Sequence, residues 1–299
     1  AYFFDMGLGK TFIGSEKMKQ LNSKMNLVVC QKSKVDDWFD HFKNYYDCRL
    51  YNATNQKDLF NFLHDSIHPD IPSIGIINYD LVFRRPELLN LENYTLMLDE
   101  SSLIQNEKAK RTKYILKMKP SNVILLSGTP TSGKYENLWT QIHLLGWNIS
   151  LDLYYRQYVN WKKIEVGGVP LWIVDKSDPY KNVDRLKIKL REHGAVFMKT
   201  EECFELPEQT FIELLVNSSK EYRKFRKHHI VTVGDTELVG DTTLTQMLYE
   251  RQLCGMYSKE KLQAFRDLVE STQDRLIVFY TFNEELNQLK KIAEDLDRP

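Results

Sequence analysis

No stretch of this chain approaches the ~18–20 consecutive apolar residues of a membrane-spanning helix. Nor do the first residues show a basic segment followed by an apolar core, so a secretory leader is not expected. Cysteine is scarce: Cys30, Cys48, Cys203 and Cys254 lie far apart, and none forms a C-x-x-C pair. That argues against a disulfide framework and against a zinc site. The adjacent His228 and His229 have no further ligand at metal spacing and read as surface helix. Glycine and proline number only 13 and 9, and there is no repeat or low-complexity tract, which removes the disordered and fibrous classes. Neither sign of charge dominates, with 41 basic and 41 acidic residues. Overall charge therefore does not indicate a nucleic-acid partner, and any such contact needs a local basic patch.

What remains is a globular composition over 299 residues, enough for about two domains. Near its start the chain reads FFDMGLGKTF, residues 3–12. The usual phosphate-binding loop is G-x-x-x-x-G-K-[ST]. Gly9, Lys10 and Thr11 fit it, but Phe4 stands at the first glycine position. Ala1–Phe4 suits a short buried strand, and Phe12, Ile13, Met18 and Leu21 follow at roughly helical spacing. Strand, glycine loop and helix is the order a phosphate cradle needs, because a helix N-terminus presents free backbone N–H groups to an anion. Gly7 and Gly9 let the backbone bend, with Met6 and Leu8 between and beside them. Lys10 has the reach for the β- and γ-phosphates of ATP, and the Thr11 hydroxyl suits Mg²⁺. Over these residues alone, a glycine turn before an amphipathic helix would look the same.

Beyond the loop, apolar runs at 26–30, 48–52, 73–78, 94–100 and 122–128 read as strands. Between them lie segments of helical period. One is SKVDDWFDHFKNYY, residues 33–46, with Ser33 as its N-cap; the others cover 56–63, 107–118 and 135–146. Strands alternating with helices over about 145 residues predict a parallel sheet covered on both faces. Ligands of such sheets sit at the carboxyl ends of the strands. Three loops with special sequences fall there. One is 5–11. The second holds Asp99 and Glu100, suited respectively to holding Mg²⁺ and to orienting or deprotonating a water. The third holds Ser127, Gly128 and Thr129, whose small hydroxyl groups can bond to neighbouring loops and sense the γ-phosphate.

Residues 147–208 mix aromatics and charges and read as a connecting region with a hairpin at Gly167–Gly168 and a basic helix over 180–194. A second α/β unit is expected over 209–299. Its strands would be QTFIELLVN at 209–217 and RLIVFYTF at 275–282, the latter buried. A helix capped by Ser218 or Ser219 follows the first of these, and helices are expected over 259–272 and 283–296.

The three loops together, in this order and spacing, resemble the superfamily 2 helicase-like ATPases. The chain is most similar to the Swi/Snf-type DNA translocases in their short phage and bacterial form. In that family the first motif is D/E-M-G-L-G-K-T, and its entry position need not be glycine, which accommodates Phe4. LVVCQKSKVDDWFDHF, with Trp38, resembles the next motif, and IINYDLV, with Tyr79, the one after. GTPTSGKYENLW and FELPEQTFIELLVNSSKEY resemble the third motif and the crossover into a second lobe. The segments at 249–270 and 275–289 resemble the first part of that lobe. Where the acidic motif usually has His and Lys, this chain has Ser102 and Gln105, so a different coupling between ATP and the third motif is expected. Of the basic residues common before the crossover, only Lys199 is matched.

The resemblance implies an α/β fold of tandem RecA-like P-loop lobes with parallel sheets, the second lobe incomplete. It divides the chain into lobe 1 at 1–146, a connecting region at 147–208 and part of lobe 2 at 209–299. It implies an ATP hydrolase that couples turnover to movement on duplex DNA, with Lys10, Asp99 and Glu100 catalytic. Met6 to Thr11 would take the ATP phosphates, and Thr11 and Asp99 the Mg²⁺. Ser127, Gly128 and Thr129 would be the coupling residues, tying the third motif to ATP. Backbone contacts to DNA, independent of sequence, would come from Lys32, Ser33, Tyr79, Thr131 and Ser132. An intracellular, cytoplasmic setting in a bacterium or phage-infected cell is expected. Relative to the family, motifs at both ends are absent, among them the adenine-reading glutamine motif and the arginine finger. Slow hydrolysis by this chain alone is therefore expected, with a separate C-terminal segment or other replication or recombination proteins as partners. A nucleotide- or DNA-binding fragment without turnover is the alternative. A small P-loop kinase would leave SGTP and the second α/β unit unexplained.

Overall fold

A computed structural model describes residues 1–65 and 70–298. The chain divides into two compact units, Ala1–Pro207 and a second that begins at Glu208. The first unit opens with β1 (Tyr2–Phe4), α1 (Lys10–Leu21), β2 (Met25–Cys30), α2 (Val35–Tyr45), β3 (Arg49–Asn52) and α3 (Gln56–Leu63). It continues with β4 (Ser73–Asn78), α4 (Tyr79–Val82), β5 (Tyr94–Asp99), α5 (Lys110–Ile115), β6 (Asn122–Ser127) and α6 (Trp139–Leu144). After these come α7 (Leu151–Tyr158), β7 (Trp161–Val166), β8 (Val169–Val174), α8 (Val183–Glu192), β9 (Val196–Met198) and α9 (Thr200–Cys203).

Seven strands form one sheet in the order β3-β4-β2-β5-β6-β1-β9. Every pairing in it is parallel. Successive side chains on a strand point to opposite faces, and both faces are packed. Leu27, Val29, Leu96 and Leu98 enter one core, while Val28, Cys30 and Met97 enter the other. This is why the strands read as continuous apolar runs. The sheet bears out the expected α/β class. Helix α1 lies against β5 and β6, and Gly14 sets the distance. A Cβ there would come within 2.9 Å of both Leu126 Cδ1 and Met97 Sδ. Close packing of α1 fixes where its N-terminus, and so the glycine loop, stands above the sheet.

Residues 147–207 fold with the first unit. The hairpin turns at Gly167–Gly168 between β7 and β8, where the sequence placed it. Strand β9 was not legible, because three residues carry no periodic signal; it joins the sheet beside β1. Ser33 does not cap α2. A short 3₁₀ turn at Lys32–Lys34 precedes the helix and puts Lys34 at its N-cap.

The second unit holds α10 (Lys220–His228), β10 (Ile230–Val233), β11 (Thr236–Val239), α11 (Thr243–Gly255), α12 (Lys259–Ser271) and α13 (Asn283–Asp295). Ser219 caps α10, accepting from the Tyr222 N–H. Neither 209–217 nor 275–282 is a strand, contrary to expectation, and their side chains are not buried. Phe211 is 90% and Phe279 91% exposed. An apolar run becomes a buried strand only when ladder partners and covering helices exist. Among the described residues of this unit the only ladder is the antiparallel β10–β11 pair. The small core is Phe225, Val231, Leu238 and Leu253. Among the described residues no helix is long and apolar enough to cross a membrane.

Candidate nucleotide-binding site

The loop between β1 and α1 needs its glycines. Gly7 has φ +82° and Gly9 φ +70°, the left-handed region that glycine alone enters freely. Gly9 occupies the N-cap of α1 without a side-chain cap, so the first-turn N–H groups are left for an outside acceptor. Leu8 is buried and anchors the loop, while Met6 is 81% exposed. The Lys10 ammonium donates to the carbonyls of Phe4 and Asp5, both at 2.9 Å. Asp5 is held from its other side. Its N–H donates to Met198 O at 3.1 Å, and its Oδ2 accepts from Thr200 N–H at 3.0 Å. Strand β9 and the residues after it thus brace the loop.

Asp99 closes β5 and faces the same cleft. Trp38 Nε1 donates to its Oδ2 at 2.8 Å, and the Tyr79 hydroxyl donates to its carbonyl at 2.9 Å. Burial pushes the Asp99 carboxyl above the usual carboxylate range, and the neighbouring Glu100 adds to this. The Trp38 N–H and the Lys10 charge work against the rise. Glu100 sits at φ +55°, which turns its side chain toward the third loop. Its Oε1 accepts from Ser102 Oγ at 2.5 Å and Ser127 Oγ at 2.7 Å. Its Oε2 has no donor among the described residues. Met6, Gly9, Lys10, Thr11, Asp99 and Glu100 line one open cleft of about 710 Å³.

The third loop is tied to the acidic one by side chains. Ser127 bonds Glu100, and Thr129 N–H donates to Ser127 Oγ at 3.1 Å. Gly128 lies beside the phosphate loop; a Cβ on it would be 3.6 Å from Lys10 Nζ. Gln105 Nε2 donates to Pro130 O at 2.9 Å and to Ser132 Oγ at 3.1 Å. Gln141 accepts from Ser101 Oγ at 2.7 Å and donates to Pro130 O at 2.6 Å. Of the two departures from the family pattern, Gln105 links the acidic segment to the third loop, while Ser102 bonds Glu100 within the acidic loop.

The residues expected to meet DNA are divided. Lys32, Ser33 and Ser132 are exposed and Thr131 is half-buried. Tyr79 is 2% exposed, with its hydroxyl spent on Asp99 O. It braces the strand end from inside and offers no surface to a strand of DNA, which corrects the expectation. Sequence reasoning missed the contacts of Trp38 and Gln141. They reach across 61 and 40 residues respectively, and local pattern carries no signal for such pairs.

The chain is similar to known proteins. The chain is 27% identical over 149 residues to a mouse SWI/SNF-related matrix-associated actin-dependent regulator of chromatin, subfamily A member 1; that alignment takes in 47% of the chain and 14% of the relative. It is 28% identical over 150 residues to a Caenorhabditis elegans subfamily A-like protein 1 homolog, covering 47% and 21%. The chain thus spans a minor part of these relatives' length. A solved SWI2/SNF2 ATPase core from Sulfolobus solfataricus, in complex with dsDNA, has the same fold with a TM-score of 0.54 at 18% identity, covering 99% of this chain and 65% of that one. A family model for the SNF2-related domain matches residues 3–264, from β1 into α12, and by that match the chain belongs to the SNF2-related domain family.

Proposed function

We propose that the chain is the nucleotide-binding part of an ATP-dependent motor that moves on duplex DNA. The observation that carries the reading is the convergence of Lys10, Thr11, Asp99 and Glu100 on one cleft above a parallel sheet. The family match and the DNA-bound core with the same fold support it.

The first-turn N–H groups of α1 and the Lys10 ammonium receive the ATP phosphates. Lys10 leaves its two carbonyls to do so. The Thr11 hydroxyl and the half-buried Asp99 carboxylate are hard oxygen donors on the same cleft, and a carboxylate whose pKa is raised by desolvation fits a cation beside it. Thr11 and Asp99 would hold Mg²⁺ there, and its charge would offset that of the phosphates. Trp38 keeps the Asp99 carboxylate aimed. Glu100, with Oε1 occupied by two serines, offers Oε2 to the attacking water as acceptor of its proton. Ser127, Gly128 and Thr129 link that acid to the third loop, so the state of Glu100 and the position of Thr131 and Ser132 vary together. Those two residues, with Lys32 and Ser33, contact the DNA backbone without reading sequence. We place lobe 1 at 1–146, the connecting region at 147–208 and the partial second lobe at 209–299. Four unpaired thiols accord with a cytoplasmic setting, in a bacterium or a phage-infected cell.

The test is a titration of wild type and Lys10→Ala with a fluorescent ATP analogue, paired with phosphate release with and without duplex DNA. Saturable Mg²⁺-dependent binding by the wild type, lost in the variant, is the expected result. Equal affinity in the two proteins would remove the phosphate-loop assignment.

A further inference from the structure

The chain is neutral overall, but its charge is not evenly spread. Helix α10 has the sequence KEYRKFRKH: five Lys or Arg against one Glu. Lys220, Arg223, Lys224 and Lys227 fall at i, i+3, i+4 and i+7, which is one face of a helix over two turns. All four are exposed, as is Arg226. None of them forms an ion pair with a carboxylate among the described residues. The opposite side of α10 is anchored. Phe225 is fully buried against Val231, Leu238 and Leu253, and Ser219 caps the first turn. The row of cations is therefore presented by a fixed helix.

We propose that this face of α10 is a docking surface for the phosphate backbone of duplex DNA, with Lys220, Arg223, Lys224 and Lys227 as the cations that meet it. The inference rests on duplex DNA being a partner of the chain, as proposed above, and adds a contact surface outside the strand-end loops. Seven residues of helix rise span roughly 10 Å, about three base steps at 3.4 Å each. Four long side chains over that length match a regular ladder of negative charge. A helix that binds membranes needs an apolar face beside its basic one. The apolar residue of α10, Phe225, is used up in the core, so an anionic lipid surface has nothing to receive.

The experiment measures affinity of the full chain for a fluorescently labelled duplex across a salt series. Wild type is compared with Lys224→Gln/Lys227→Gln and with Lys43→Gln/Lys57→Gln. The latter pair removes the same charge from exposed positions in the first unit. Each lost phosphate contact flattens the plot of log K against log salt by about 0.9. The α10 pair is expected to flatten it by about 1.8, and the control pair to leave it unchanged. Circular dichroism checks the fold. If the double variant does not fold, Lys227→Gln in the last turn carries the test, with an expected change of about 0.9. An unchanged slope in a folded α10 variant overturns the proposal while leaving DNA binding by the chain intact. Equal flattening in the control pair also overturns it, because net charge alone would then explain the effect. Capture of phosphatidylserine vesicles that depends on Lys224 and Lys227, with duplex binding indifferent to them, would give the surface to lipid. A wild type with no duplex affinity at any salt overturns both this proposal and the reading it rests on.

Discussion

Trp38 and Asp99, 61 residues apart in the chain, are joined by a 2.8 Å hydrogen bond from the indole N–H to a carboxylate oxygen. The bond sits where α2 passes the end of β5. It gives a half-buried carboxylate at the edge of the cleft a fixed donor.

A consequence for stability follows. Burial holds the Asp99 pKa above its unfolded value, so the folded protein binds that proton more tightly than the unfolded chain does. The ionised carboxylate is then a penalty on the fold that sets in as pH rises through the unfolded and then the folded pKa. Asp99→Asn is expected to raise the thermal midpoint of the ligand-free protein at neutral pH. The gain should shrink as pH falls toward the ordinary carboxylate range. The same variant should lose Mg²⁺-dependent nucleotide affinity. Melts of both proteins across pH decide it, and coincident curves at neutral pH would show that the carboxylate carries no such penalty. Trp38→Phe keeps the ring but leaves the carboxylate without its donor, and should lower stability by about 1.5–3 kcal/mol.

Glu100→Gln separates binding from chemistry. The amide oxygen still accepts from Ser102 and Ser127, so the shape of the site is kept. The amide cannot take a proton from water. Nucleotide affinity should hold, and hydrolysis by an active form of the enzyme should fall by about 10²–10⁴. Phosphate release at the wild-type rate would move the role elsewhere.

Tyr79→Phe tests the correction made by burial. Loss of the bond to Asp99 O should destabilise the protein by about 1 kcal/mol in urea unfolding. Duplex affinity should not change. Weaker duplex binding with unchanged stability would return Tyr79 to the interface.

Gln105→Leu removes the donor to Pro130 O and Ser132 Oγ. The third loop should then move more freely, and duplex binding through Thr131 and Ser132 should weaken several-fold. Stability should drop by about 1 kcal/mol per bond lost. Protection of the amides at 129–134 from hydrogen exchange is the direct readout, and undiminished protection would contradict the role given to Gln105.

The sheet of the first unit could be read from its sequence because both faces of every central strand are buried. Runs such as LVV and LML have no other good use in a chain of this composition. Gly7 and Gly9 were legible for a related reason, since left-handed backbone angles favour glycine. The side-chain links were not legible. Ser127 meets Glu100, and Gln105 meets Pro130, only because β5 and β6 lie side by side, and a one-dimensional pattern says nothing of which hydroxyl finds which acceptor. The same logic failed at Phe211 and Phe279. Their segments have the composition of buried strands, but burial is a property of neighbours, and within their unit the neighbours are absent among the described residues.

The resting position of Lys10 sets a threshold at the mouth of the loop. Its ammonium already satisfies two carbonyls at 2.9 Å, so an incoming anion competes with an occupied seat. Hydrogen bonds to a charged group contribute about 1.5–3 kcal/mol each. A polyphosphate brings several oxygens and several charges at once, and it also gains the glycine-loop amides. On the phosphate-loop reading, an incoming anion would have to outcompete two carbonyls for Lys10, and a ligand of several charges would do so more readily than a monovalent one.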